Sequence, residues 1–369
     1  MIFPLVFRGL FRAGTLFCLT NFSGAASELT WKRLAPLPDA EGFAGMYAGE
    51  SGGTLLAAGG TQFANGVPWW QGGKKVWSDV IFALEPKTGN WRIVSEKLPR
   101  LLGDGVSFTH GGRLICVGGG DETRAYAEVF TLQMRDGRVE RISLPALPRP
   151  TLKLGGTVIG DWAYVVGGRH DPNSPSATRA GWALDLSRPA AELQWVSIPD
   201  CPGPGRMMPI VVAAKGSIYV FGGIEIRPDD AGKAKNVAPY LRDAWRFVPG
   251  ERNRPGKWEP LMNMPQPLAG SPSPAWLVDP DTILIFGGVD GAIEAIADRS
   301  SIRALPGQIF AYHISKNQWT RQGEMPSAEI RVNAPAVPWR GGYAIISGEY
   351  LPARRTNACT LVTAAPTRQ

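Results

Sequence analysis

Two side chains of opposite charge, Glu349 and Arg355, stand six positions apart in the segment GEYLPARRTNACTL. A carboxylate at a strand end facing a channel is placed for proton transfer. A fixed guanidinium beside it binds or stabilises an anion, but its permanent charge makes it a poor proton donor. Other arginines occur singly at loop positions, among them Arg206, Arg242 and Arg331, and Trp69-Trp70 in NGVPWWQGG offers either a wall of a small-molecule pocket or an exposed binding cluster. Glu349 and Arg355 are therefore the candidate catalytic pair, with Arg206, Arg242, Arg331, Trp69 and Trp70 as candidate substrate contacts. For any one arginine, a solvated or structural role competes equally.

The formal net charge is +7, or +5 without Arg8 and Arg12, since 37 basic residues then face 32 acidic ones. That balance suits a small anion. It gives no dense Lys/Arg stripe and no aromatic ladder, so nucleic acid is not an expected partner. Only three histidines are present, His110, His170 and His313, with no shared local spacing, and no metal or other cofactor is expected. Of the four cysteines, Cys116, Cys201 and Cys359 show no CxxC spacing, and are expected as buried thiols and not as a disulfide framework. A glycoside hydrolase would want two facing carboxylates. Glu225 and Asp290 follow strand ends, but turn formation or loop pairing is the expected role of each, and SxDxGxxW turns are missing.

The elements that must position Glu349 and Arg355 are repeats. Short apolar runs end in Gly59-Gly60, Gly118-Gly119, Gly167-Gly168, Gly222-Gly223 and Gly287-Gly288, and Ser347-Gly348 makes a sixth. These doublets lie 49 to 65 residues apart, and in four units a Trp follows the second Gly by 27 to 35 residues, at Trp91, Trp195, Trp258 and Trp319. With 45 Gly, 32 Pro and 19% charged residues, the composition is that of many strands joined by many turns. The pattern predicts an all-β fold, a six-bladed kelch-type β-propeller forming one domain over residues 27–369. The doublets are expected to let neighbouring blades approach, and the Trps to fill space between blades. Blade two lacks its Trp, and Ile142 in VERISLP is expected to take the inward place.

The segment TWKRLAPLP has the signature of a last strand with none before it, while the C-terminal region lacks a last strand. The ring is therefore predicted to close by pairing Trp31–Leu34 with the strand around Ala358–Val362, which removes two exposed sheet edges. Residues 1–26 combine Arg8 and Arg12 with an apolar stretch and a small-residue run from Ser23 to Ser27, the composition of a signal peptide, with an N-terminal anchor as the alternative. Either implies a periplasmic or secreted domain. No other run is apolar enough to cross a bilayer. The segment 227–241 is long and polar, read as a solvated loop that could otherwise serve as a lid. Oligomeric state is not legible.

The segments GEYLPARRTNA, FAGMYAGESGGTLLAAGGTQFANG, QGGKKVWSD and GRMMPIVVAAKGSIYVFGG resemble those of the N-acetylneuraminate epimerase (sialic acid mutarotase) family, specifically its cyclically permuted branch. The resemblance runs from about Leu29 to Val362. It implies a cofactor-independent isomerase that interconverts the α and β anomers of N-acetylneuraminate, or of a closely related sugar acid, with Glu349 and Arg355 matching the Glu and Arg of a GExxPxxRT segment and Arg206 matching a binding arginine. The reading kept beside it is an exported propeller that binds a glycan or a protein without catalysis.

Overall fold

The computed structural model describes residues 28–229, 232, 239–250 and 256–365. The candidate signal peptide lies outside them, as do residues 230, 231 and 233–238 of the 227–241 segment. Six four-stranded antiparallel sheets form the blades of a β-propeller. Their innermost strands are Tyr47–Ser51, Val106–His110, Gly155–Ile159, Ile210–Ala214, Trp276–Asp279 and Ala336–Trp339. Blades one to five are each built from consecutive segments. Blade six takes three strands from residues 336–364 and its outermost strand from Leu29–Arg33, with Trp31 opposite Val362 and Arg33 opposite Thr360, as the sequence predicts. Among the described residues, no helix is long and apolar enough to cross a membrane.

The doublets are the joints between blades. The amide of each second glycine donates to a carbonyl of the next blade: Gly60 to Leu102, Gly119 to Thr151, Gly168 to Arg206, Gly223 to Leu268, Gly288 to Arg331 and Gly348 to Phe43, at 2.7–2.9 Å. The first glycine makes room for that carbonyl. At Gly167, where φ is +72°, an added Cβ would stand 2.6 Å from the Arg206 oxygen, so neither the conformation nor the space admits a side chain. Blade six uses Ser347 instead, also at positive φ, and its hydroxyl bonds both the amide and the carbonyl of Phe43 at 2.7 and 2.8 Å.

The core lies between blades. Leu37, Phe43, Leu55, Phe82, Trp91 and Cys359 join blades six and one in one such cluster. The outer Trps also act as staples, since the indole N–H groups of Trp195, Trp258 and Trp319 donate to the carbonyls of Pro145, Pro199 and Met262 at the end of the preceding blade. One expectation is corrected. In blade two Ile142 is 46% exposed and Val139 takes the buried place, because Arg141 stands opposite Leu132 where Trp91 stands opposite Leu84, and that register points Ile142 outward.

On the rim where the doublets end, the residue after each doublet bridges the residue ahead of its own blade's innermost strand, as Thr61 does Ala44 and Glu349 does Val332. The next residues, Gly45, Asp104, Lys153, Met208, Gly270 and Asn333, all have φ between +52° and +65°. Each donates its amide to the corresponding carbonyl one blade away, at 2.6–3.2 Å, closing a six-membered backbone ring around the axis. Left-handed backbone is costly for Lys and Met. The closed hydrogen-bond ring holds it.

Candidate active site

Glu349 follows the sixth doublet and opens a short hairpin, Glu349–Leu351 with Arg354–Arg355, in which Glu349 and Arg355 are cross-strand partners. Six residues of separation therefore become direct contact. The Arg355 guanidinium pairs with Glu349 Oε2 through Nη1, donates from Nε to the Thr61 carbonyl at 3.2 Å, and lies 5.2 Å from the Phe63 ring centroid. The other carboxylate oxygen, Oε1, accepts the Ala353 amide at 3.2 Å. The side chain of Arg355 is only 7% exposed and that of Glu349 22%, so the pair is largely withdrawn from water with the carboxylate the more open member. A charge-assisted pair of this kind fixes the carboxylate's orientation.

The wall beside them comes from blade one, whose hairpin Thr61–Phe63 with Lys75–Trp77 is inserted after the first doublet. Its strands bring Lys75 over the axis, where Nζ reaches Asp104 Oδ2 at 3.1 Å; Asn333 Nδ2 donates to Asp104 Oδ1 at 3.0 Å. Burial would raise the Asp104 pKa, but the ammonium groups of Lys75 and Lys153 and the Asn333 hydrogen bond outweigh it and hold the carboxyl far below the usual carboxylate range. Burial lowers the Lys153 pKa, assisted by Lys75 and Arg169 and opposed by Asp104 and Glu349. The axial cavity is lined by Asp104, Lys153, Met208, Asn333, Ser107 and Ser271, among others. Its lining mixes these polar groups with Met46, Val106, Leu154 and Pro335, and Lys153 is the lining residue on which the Glu349 charge acts.

Of the remaining candidates the structure brings only Trp70 to the Glu349–Arg355 hairpin, across a cleft that Leu351, Pro352 and Arg354 also line. Arg206 and Arg331 occupy the place that Leu102, Leu268 and Phe43 take in other blades, an inter-blade position, and are 0% and 2% exposed. Arg206 is held by Asp243 at 2.9 and 2.7 Å and by the Gly222 and Pro202 carbonyls; Arg331 donates to the Ala328 and Ile330 carbonyls. Both are internal braces, and neither reaches the Glu349–Arg355 pair. Arg242 is exposed on the third strand of blade four. Trp69 and Trp70 pack edge to face at 5.2 Å at the tip of the blade-one insertion, and Trp70 lines a separate cleft with Arg299, Arg303 and Arg354 that shares no residue with the axial cavity.

Glu225 pairs with Arg227, and Asp290 accepts the Ala292 amide, the loop roles expected of them. His110, His170 and His313 bond Asp161, the Pro150 carbonyl and Thr320 respectively, and no group of three or more metal-type ligands occurs among the described residues. Cys116, Cys201 and Cys359 are buried free thiols. Sequence reasoning passed over Lys75, Asp104, Lys153 and Asn333. Only the place just ahead of each innermost strand marks three of them, and Lys75 carries no such signal.

A family model described as N-acetylneuraminate epimerase matches residues 18–140. The chain is similar to the N-acetylneuraminate epimerases. The protein of that name from Haemophilus influenzae (strain PittEE) is 27% identical over 225 residues, 54% of this chain and 54% of that protein. That from Salmonella arizonae is 31% identical over 240 residues, 58% and 57% of the two chains. That from Brucella suis is 37% identical over 123 residues, 29% of this chain and 31% of that protein. The chain thus spans about half the length of the first of these epimerases. The resemblance drawn from the sequence is borne out at this level. The residues matched to the epimerase model include Thr61, Phe63, Lys75 and Asp104, while Glu349 and Arg355 lie beyond them.

Proposed function

We propose that this protein is a cofactor-independent isomerase that interconverts the α and β anomers of N-acetylneuraminate or a closely related sugar acid, outside the cytoplasm, as a circularly permuted counterpart of the epimerases it resembles. The observation that carries the reading is the Glu349–Arg355 pair, held at the rim of the channel with its carboxylate the more open partner. The similarity to proteins named N-acetylneuraminate epimerase supports the substrate class.

In the reaction the anomeric hydroxyl loses its proton to a base, the bond from the anomeric carbon to the ring oxygen breaks, and that oxygen takes up a proton. The open-chain ketone then rotates and closes on its other face, with the same transfers reversed. No atom is lost and no electron leaves, so one carboxylate that accepts and returns a proton suffices, directly at one oxygen and through water at the other. Glu349 fills that role. Arg355, anchored by Thr61 and Phe63, keeps the carboxylate aimed and stabilises negative charge as the hydroxyl proton departs.

The test is proton NMR of freshly released α-N-acetylneuraminate with and without purified protein. Faster approach to the anomeric equilibrium, lost in Glu349→Gln, is the expected result, and an unaltered rate with wild-type protein would overturn the reading. A second reading, a binding propeller, rests on the 59% exposure of Trp69 beside Trp70. Retained glycan binding without turnover would favour it.

A further inference from the structure

The axial ring carries a cation that makes no direct ion pair among the described residues, although the Asp104 and Glu349 carboxylates lie near enough to act on it. Lys153 belongs to the six-membered backbone ring, where its amide and carbonyl are committed to Asp104 and Met208, and its side chain lines the axial cavity. Its ammonium group has no hydrogen-bond or ion-pair partner among the described residues. The nearby carboxylates are already engaged: Asp104 by Lys75 and Asn333, and Glu349 by Arg355. A second cation lies beside it. Arg169 follows the doublet of blade three as Glu349 follows that of blade six, on the opposite side of a six-bladed ring, and its Nε is buried without a partner while Nη2 is held by the Ser174 carbonyl.

A partly exposed ammonium with no direct partner is free to meet an anion from solution. Here a rigid backbone holds it in a strained left-handed conformation, at φ +55°, on the floor of a cavity. Arg355 is already occupied by Glu349, Thr61 and Phe63, which leaves the floor and not the wall to take a substrate anion. We infer that Lys153, assisted by Arg169, forms a carboxylate subsite on the channel floor that seats the acid group of the sugar and turns its anomeric carbon toward Glu349. Lys75 belongs to the same subsite indirectly, by engaging Asp104 so that Asp104 does not capture Lys153. The inference rests on the proposed anomerase reading for the identity of the sugar, while the subsite itself rests on the unpaired cation.

The experiment compares binding of N-acetylneuraminate and its neutral methyl ester by calorimetry, alongside anomer exchange by NMR, in wild type, Lys153→Met, Lys153→Arg and the surface control Lys257→Met. Methionine matches the lysine stem and makes the same backbone demand. Loss of a charge-assisted contact predicts an affinity for the acid about tenfold to a hundredfold weaker in Lys153→Met. Affinity for the ester should stay at the wild-type level, and Lys153→Arg should recover part of the acid affinity. An acid affinity in Lys153→Met equal to wild type, or an equal loss for acid and ester, would overturn the subsite. Wild-type protein that binds the acid more tightly than the ester, yet fails to speed anomer exchange, would support the subsite and remove the anomerase reading. Wild-type protein that binds neither would overturn both.

Discussion

Replacing Glu349 by Gln alters charge without altering shape, and the two roles of the residue then separate in magnitude. Glu349 Oε2 meets Arg355 and Oε1 accepts the Ala353 amide at 3.2 Å. A glutamine must keep its oxygen toward the guanidinium, which turns its own NH2 group against the Ala353 N–H. Arg355 retains the Thr61 carbonyl at 3.2 Å and the Phe63 ring. The structural cost is thus one charge-assisted bond partly retained and one backbone acceptor lost, about 2 kcal/mol. In a domain of this size that lowers Tm by roughly 3 °C, and the variant stays folded at the assay temperature. Loss of general acid/base catalysis is expected to slow anomer exchange by about 10²–10⁴-fold, equivalent to about 3–5 kcal/mol on the barrier. NMR of α-anomer decay gives the rate and thermal unfolding gives the stability. A folded Glu349→Gln protein that exchanges anomers within twofold of wild type would refute the assignment.

Four other outcomes follow from the same geometry. Arg355→Lys should lower the rate, since a point charge does not reproduce the planar fork that meets Glu349 and Thr61 together, and steady-state NMR kinetics read it. Asp243→Ala should destabilise the fold by about 3 kcal/mol or more in urea titrations, because it leaves the fully buried Arg206 without its carboxylate. An unchanged unfolding midpoint would show that Arg206 is not a brace. Asp104 has a depressed pKa in the fold, so its stabilisation is complete above the unfolded value of about 4 and is lost as pH falls toward the folded value. Urea midpoints measured between pH 5 and pH 2 should therefore fall more steeply in wild type than in Asp104→Asn. Lys153→Met should be at least as stable as wild type at neutral pH, because burial lowers the lysine's pKa and its charge is carried at a cost until pH rises past the folded value. A marked loss of stability would instead assign Lys153 a structural role.

The propeller was legible in the sequence because its cause is local and repeated. A glycine doublet after a short apolar run, and a Trp some thirty residues on, mark each blade through backbone conformation and packing that do not depend on distant residues. The closing strand was legible for the same reason: an orphan last strand and an unfinished blade can be matched by pattern. That Glu349 and Arg355 meet was legible because both lie in one short hairpin, which folds neighbours along the chain into contact.

Arg206 and Arg331 stand at loop positions as read, but their burial was not legible, because polarity alone suggests exposure. Only the inter-blade joints show that their positions are core positions, one satisfied by Asp243 and the other by backbone carbonyls. The axial cluster was invisible for a different reason. Lys75, Asp104, Lys153 and Asn333 come from different blades, and only ring closure brings them to one axis. By itself the sequence determined the blades, their joints and the acidic and basic pair on one hairpin, since each depends on neighbours along the chain. The tertiary structure alone decided which charges face the channel and which are sealed between blades, because that depends on the closure of all six blades around one axis.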